Sequence, residues 1–325
     1  KSTLWKYPNF LSVFGLLNMN ASQYSISAVV VTFNPEVEVF KQLIKSIIPQ
    51  VDQIIIVDNG SLCEIRSGLE EIVTNYQNLY LISLSDNMGI ASAQNYGIKK
   101  SFSMESSHVL LLDHDSIPAE DMVEKLLSLE LKLLSQGRQV GAVGPTSVDR
   151  RTSTRSGFVR KSGILIKRIY PDDSKGFVKT DFLIASGTLI RTEVLHNIGL
   201  MKENYFIDHV DTEWCFRAVN CGYELFGCGD AFLNHTLGDS VIRIWMGRWR
   251  EIPKHSPLRN YYIFRNTINM VTSTPMSWSW KLAHIYRLMI FFVFFMIAAK
   301  PRYRRFIMMI KGGFDGIRGI SGKLN

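Results

Sequence analysis

From Ser25 onward, short apolar runs alternate with segments whose apolar residues recur at helical spacing. Ile26 to Phe33, Gln53 to Val57, Leu79 to Leu84 and Val109 to Leu112 read as strands. Between them, about Glu36 to Ile47, Ile65 to Tyr76 and Ile90 to Lys100 read as helices. Runs that are apolar on both sides of the strand period belong to strands covered on both faces, and their alternation with helices predicts a parallel α/β sheet. Past Ala119 a helix is expected to about Leu134, then β-like pieces at Val140 to Val143, Gly163 to Lys167 and Leu183 to Ile190.

The end of the chain follows a different pattern. Leu288 to Ala299 contains no polar residue, and Lys300, Arg302, Arg304 and Arg305 close the run. Twelve residues rise only about 18 Å as helix, short of a hydrocarbon core of about 30 Å, so the expectation is a helix lying in a membrane interface. A buried core helix is the alternative. Charge supports the first reading. Residues 1–240 carry 22 Lys+Arg against 27 Asp+Glu, whereas residues 241–325 carry 15 against 2, so the whole basic excess of +8 belongs to the tail. With Trp278, Trp280 and Tyr286 among these cations, an anionic membrane surface is the expected partner rather than nucleic acid.

The expected division is a leader at 1–24, with Met19 a candidate start, then 25–240 as one domain and 241–325 as a basic lid loop with membrane-associating helices. Within the domain, 25–118 has nucleotide-binding architecture by class and 119–240 is the second half. No secretory signal is evident, and Cys63, Cys215, Cys221 and Cys228 lack metal or disulfide spacing, so reduced core thiols of a cytosolic protein are expected.

The chemistry concentrates at strand ends. The fourth strand ends in Asp113-His114-Asp115, two carboxylates that repel unless a cation joins them, and hard oxygen ligands suit Mg or Mn bridging to nucleotide phosphates. Alone, the motif reads equally as a helix cap or turn. Strand one ends in Thr32-Phe33-Asn34 and strand two in Asp58-Asn59-Gly60, polar groups placed for a base and ribose. A carboxylate such as Asp58 can accept the imide N–H of uracil or thymine. Asn87-Met88-Gly89 opens a helix that continues through Asn95, an amide-rich start suited to a phosphate. After His235, the cations from Arg243 to Arg259 make a basic aromatic loop. His255 and Arg259 are its candidates for closing on a donor diphosphate, with lipid phosphates the other possible ligand.

Taken in order, Thr-Phe-Asn-Pro, Val-Asp-Asn-Gly-Ser, Asn-Met-Gly-Ile-Ala, Leu-Leu-Asp-His-Asp-Ser and Ile-Asp-His-Val-Asp-Thr-Glu-Trp resemble the family 2 glycosyltransferases, most closely the bacterial rhamnosyltransferases of surface-polysaccharide assembly. The resemblance implies a GT-A fold (a Rossmann-like, mostly parallel sheet flanked by helices), a nucleotide-sugar donor such as dTDP-L-rhamnose, a lipid-linked glycan acceptor, a divalent metal, Mg or Mn, and inverting transfer at the cytoplasmic face of the inner membrane. It makes Asp115 the main metal carboxylate, with Asp113 on ribose or metal and His235 completing the shell. Asp58 becomes the pyrimidine reader, helped by Thr32 and Asn34, and Ser186-Gly187 the acceptor wall. Asp211 is the implied base: its register with Arg217 selects it over Asp208 and Glu213, and one positioned carboxylate suffices for a single displacement. Two competing readings are a transferase for another UDP- or dTDP-hexose and a non-catalytic nucleotide- or lipid-binding module. A processive synthase fits less well, since Trp245 stands where its Gln-x-x-Arg-Trp motif needs Gln.

Overall fold

The computed structural model describes residues 24–150, 154–163, 165–172, 176–235, 241–245 and 249–324. Met19 and the leader up to residue 23 lie outside them. The first half alternates as β1 (Ile26–Thr32), α1 (Val37–Ile47), β2 (Gln53–Asp58), α2 (Cys63–Thr74), β3 (Leu79–Ser83), α3 (Ile90–Ser103) and β4 (His108–Asp113). These four strands pair in parallel in the order β3-β2-β1-β4. Consecutive side chains leave a strand on opposite faces. Val29, Val31, Ile55, Val57, Val109 and Leu111 therefore enter one core with α3, and Ala28, Val30, Ile54, Ile56, Leu110 and Leu112 enter another with α1 and α2. On α1 the buried residues Phe40, Leu43, Ile44 and Ile47 make the stripe that covers the second core.

The second half departs from the uniformly parallel sheet that the alternation suggests. β5 (Ile117–Pro118), α4 (Met122–Ser135), β6 (Val140–Asp149), β7 (Phe158–Ser162), β8 (Leu165–Ile169), β9 (Phe177–Thr180), β10 (Leu189–Arg191), α5 (Thr192–Ile198), α6 (Val210–Asn220) and β11 (Glu224–His235) follow. The sheet continues β4-β10-β6-β11-β5, with β9 also on β11. β10 runs antiparallel to both β4 and β6, so the fold is mixed and mostly parallel. Only the end of the expected Leu183 to Ile190 strand is extended structure, because residues 183–188 turn back to the end of β4, where Gly187 donates to the Leu111 carbonyl at 2.7 Å. The expected Gly163 to Lys167 piece is the turn and second arm of the β7–β8 hairpin.

The expected basic lid loop contains regular structure. β12 (Val241–Trp245) and β13 (Trp249–Pro253) form an antiparallel hairpin, with Arg248 outside the described residues. Three helices follow: α7 (Pro257–Ser273), α8 (Trp278–Ala298) and α9 (Arg302–Ile317). The apolar run accounts for only part of α8. The helix begins ten residues earlier, spans 21 residues and is long and apolar enough to cross a membrane by length and composition. The length argument for an interfacial helix fails because the polar residues of the first turns remain helical, packed against the α/β domain. There Trp280 and His284 bury their rings against Phe216 of α6. α9 returns along α7 at close range, since a Cβ on Gly312 would lie 2.3 Å from the Tyr261 carbonyl oxygen and one on Gly316 2.8 Å from that of Arg265.

All four cysteines are free. Cys215 and Cys228 are buried as expected, but Cys63 and Cys221 are exposed, so only two are core thiols.

Candidate active site

Where the strand order passes from β1 to β4 the crossovers change side, and open α/β sheets leave their crevice at the carboxyl ends of such strands. Register brings Thr32 opposite Asp58, and Val31 opposite Asp113, at this edge. The loops beyond are joined by side chains. The Thr32 hydroxyl donates to Asp58 at 3.2 Å, the Ser61 hydroxyl donates to the same carboxylate, and Arg66 Nε reaches it at 3.3 Å. Asp58 is wholly buried, so the structure places it beneath the rim, with both oxygens accepting from protein donors. Asn34, at φ +46°, accepts the Leu62 N–H at 2.9 Å. Asn59 accepts the Met88 N–H at 2.9 Å and donates to Asn87 at 3.2 Å, and Asn87 accepts the Gly89 N–H at 3.0 Å.

Gly89 has φ +87°, and a Cβ there would stand 2.6 Å from the Phe206 carbonyl oxygen. Only glycine permits both that backbone and that approach. Asn95 is placed differently from its neighbours. It is buried two turns into α3, and its amide exchanges hydrogen bonds of 2.9 Å with both backbone polar atoms of Met201 and donates to Glu203. Its amide therefore fastens α3 to the segment before α6.

The DxD turn and the expected base are brought together by two consecutive residues. The Asp113 N–H donates to the Ser186 hydroxyl at 3.1 Å, and that hydroxyl donates to Ser116 at 2.8 Å. The adjacent Ala185 N–H donates to the Asp211 carboxylate at 3.3 Å. Asp211, in the first turn of α6, also accepts from the Thr212 N–H at 2.7 Å. A helix start and two N–H donors favour its anion, yet burial outweighs them and holds its pKa above the ordinary aspartate range, with the Asp113 charge a further raising cause. Asp208 and Glu213, the neighbouring carboxylates, are both in ion pairs. Arg259 grips Asp208 at 3.0–3.2 Å. Glu213 is fully buried and meets Arg217 at 2.9 Å, Lys202 at 2.7 Å and Thr274 at 3.2 Å. Asp211 is linked through Ala185 and Ser186 to the Asp113 turn, and the Asp113 charge acts on it.

Among the described residues, no group of three or more His, Cys, Asp or Glu is assembled as a metal shell. The donor set nonetheless suits a hard cation, with two aspartates at one strand end and a third, Asp211, close enough to feel the charge of Asp113. The backbone of His235 ends β11 next to Asn234, which pairs with Ile117 two residues past Asp115; its side chain lies outside the described residues. Arg259 pairs with Asp208, three residues before Asp211. The His255 ring instead stacks on Phe291 and Phe295 of α8, with centroids 6.3 and 6.5 Å away. Reading the sequence missed Arg265 and Asn266 of α7, whose donors hold the loop before Asp211; a buried Arg-Asn pair within a helical pattern carries no motif that marks such a contact.

Comparison with known proteins agrees with this fold. The glycosyl transferase family 2 description matches residues 27–199. The dTDP-rhamnosyl transferase RfbF of Shigella flexneri is 30% identical over 306 residues, which are 94% of this chain and 98% of that protein. Among solved structures, S. aureus TarS 1-349 in complex with UDP-GlcNAc superposes with a TM-score of 0.54 at 15% identity, covering 91% of this chain and 81% of that one. Mannosyltransferase PcManGT from Pyrobaculum calidifontis, in complex with GDP-Man and Mn2+, gives 0.53 at 14%, covering 90% and 87%. Matched over more than half its length by the family description and along nearly all of it by one relative, the chain belongs to glycosyl transferase family 2 and is a nucleotide-sugar glycosyltransferase of GT-A-type fold.

Proposed function

We propose that the chain transfers L-rhamnose from dTDP-L-rhamnose, with inversion, to a polyprenyl-diphosphate-linked glycan in O-antigen or related surface-polysaccharide synthesis. Identity along the full length of a dTDP-rhamnosyl transferase supports the donor. The observation that carries the chemistry is the Ala185–Ser186 bridge, which sets a buried carboxylate beside a metal-type DxD turn. In this reading the rim of Thr32, Asn34, Asn59, Asn87 and Gly89 receives the nucleoside, and Asp58, buried beneath it, orders that rim through Thr32, Ser61 and Arg66 rather than reading the pyrimidine itself. Asp113, Asp115 and His235 would hold Mg or Mn, which would supply positive charge to ease departure of the diphosphate. Asp211 takes the acceptor hydroxyl proton as that oxygen attacks the sugar's anomeric carbon, while the bond to the diphosphate breaks on the opposite face. Ser186 and Gly187 wall the acceptor side. Arg259 turns from Asp208 toward the diphosphate, and His255, stacked on Phe291 and Phe295, holds the start of α7 against α8.

Transfer measured across a panel of nucleotide sugars, with and without EDTA, tests donor and metal separately. Turnover is expected with dTDP-L-rhamnose and to vanish in EDTA, returning with Mg or Mn. Full activity in EDTA removes the ion from the reading, and preference for a UDP-hexose moves the donor.

The same reading places the enzyme peripherally on the inner membrane, and the 25–240 and 241–325 units divide catalysis from attachment. Its support is the outer face of α8 and α9, where Met289, Val293, Ile297, Phe314 and Ile317 are each more than half exposed, bordered by Lys300, Arg302 and Arg304. Apolar residues of this kind enter the acyl boundary while cations meet anionic headgroups. Met289→Glu with Val293→Glu is expected to release the protein from vesicles containing anionic lipid in a flotation assay while transfer to a soluble acceptor continues. Undiminished binding would show that this face is not the anchor.

A further inference from the structure

The loop that delivers Asp211 is held in a shape its own sequence disfavours. Phe206 sits at φ +63° and ψ −62°, and the Ile207 N–H returns to the Tyr205 carbonyl at 2.7 Å. This three-residue turn is a rare and strained one. Asp208 and His209 also lie at φ +63°, so three of four consecutive residues occupy backbone space that L side chains avoid. Strain of this kind persists only where surrounding structure imposes it.

The imposing structure is one face of α7. Arg265, fully buried, donates through Nη2 to the Tyr205 carbonyl at 3.1 Å and through Nη1 to the Gly322 carbonyl at 2.6 Å, and its guanidinium lies over the Tyr262 ring. Asn266, also fully buried, shares its amide hydrogens among the carbonyls of Tyr205, Ile207 and Asp208 at 2.8, 2.6 and 3.2 Å. The Thr267 hydroxyl donates to the Ile263 carbonyl at 2.7 Å and therefore accepts from the His209 ring at 2.9 Å. Three successive α7 residues thus hold residues 205–209. From its far side the turn is joined to the donor loop: the Phe206 carbonyl accepts the Ile90 N–H at 2.7 Å, against the Gly89 that admits no side chain there. The end of the chain completes the clasp, since Gly322 donates to the Asn204 carbonyl at 2.7 Å and Lys323 reaches Asp86 of the donor loop at 2.8 Å.

We propose that Arg265 and Asn266 are positioning residues for the transfer step, holding the strained Phe206 turn so that donor loop and base-bearing helix keep one fixed relation. α7 to α9 would then be part of the active site's frame as well as an attachment. The inference rests on Asp211 being the base, and Asp211→Asn checks that independently.

The test compares kcat for transfer with the dissociation constants of dTDP and UDP, measured by calorimetry, in the full-length chain. Misplacing a reacting group by about 1 Å costs on the order of 100-fold. Asn266→Ala is expected to lower kcat by about 30- to 100-fold with unchanged nucleotide affinity, and Arg265→Lys, which keeps the charge but not the fork, by less. Should Asn266→Ala fail to fold, Thr267→Val keeps the side-chain shape and removes only the hydroxyl that holds the His209 ring, and its expected kcat loss is about tenfold. Wild-type kcat in whichever of these variants folds, or an equal fall in kcat and nucleotide affinity, overturns the proposal. Loss in these variants with full turnover in Asp211→Asn would instead overturn the choice of base.

Discussion

Asp211→Asn is expected to lower kcat for transfer by about 10²- to 10⁴-fold, the usual worth of a positioned general base, while dTDP binding stays as it is. Asn keeps the size of the side chain, and its single oxygen can take the shorter Thr212 N–H bond at the α6 start while the Ala185 N–H, which donates to the other carboxylate oxygen, loses its acceptor; the main lost property is proton acceptance. Unchanged turnover would move the base to Asp208, the carboxylate Arg259 now holds. The wild-type pH profile carries a companion expectation. Burial raises the pKa of Asp211, so its proton is removed only above the ordinary aspartate range, and kcat should fall with decreasing pH earlier than for a surface carboxylate. A cation on Asp113 cancels the contribution of that charge but leaves burial, the larger cause, in place. The acid limb should therefore persist in the metal-loaded enzyme and disappear in Asp211→Asn.

The second large effect is on stability. Glu213 is two residues from Asp211, yet its carboxylate faces inward to Arg217, Lys202 and Thr274. Arg217 in turn donates to the Ile198 and Leu200 carbonyls, each at 2.7 Å, so the pair ties α6 to the segment before it. Removing one partner of a buried ion pair strands the other, at a cost of about 3–5 kcal/mol. Glu213→Ala should lose about that much in urea unfolding at constant m-value. At low temperature, where it remains folded, donor affinity should be retained. A variant as stable as wild type but unable to transfer would make Glu213 a catalytic group and overturn the assignment.

These two carboxylates show how far the linear pattern carries. Asp211 and Glu213 both belong to the motif at the start of α6, and spacing cannot tell which faces the crevice. The neighbours do: Ala185 and the Asp113 charge on one side, Lys202 and Thr274 on the other. The same limit applies elsewhere in the site. Asn95 and Asn87 belong to one motif, but helix phase buries Asn95 against Met201, whereas Asn87 remains in the donor loop. Asp58 and Asp113 both end parallel strands, and Asp58 alone is roofed by Ser61 and Arg66. His255 and Arg259 are four residues apart on either side of the α7 start, and packing sends one ring to α8 and the other head to Asp208.

What the amino-acid order determined by itself is the local part. The β1-to-β4 alternation, the two carboxylates at the end of β4, the amide-rich start of α3 and the basic apolar tail follow from periodicity and residue chemistry within a few neighbours. Tertiary structure decided the mixed sheet, the full length of α8, the side on which each acid lies and the clasp of α7 on the Phe206 turn. Each of these depends on contacts between residues far apart in the chain, such as Asn266 with Ile207 or Asp113 with Ser186, and no local periodicity records which distant partner will satisfy a buried donor.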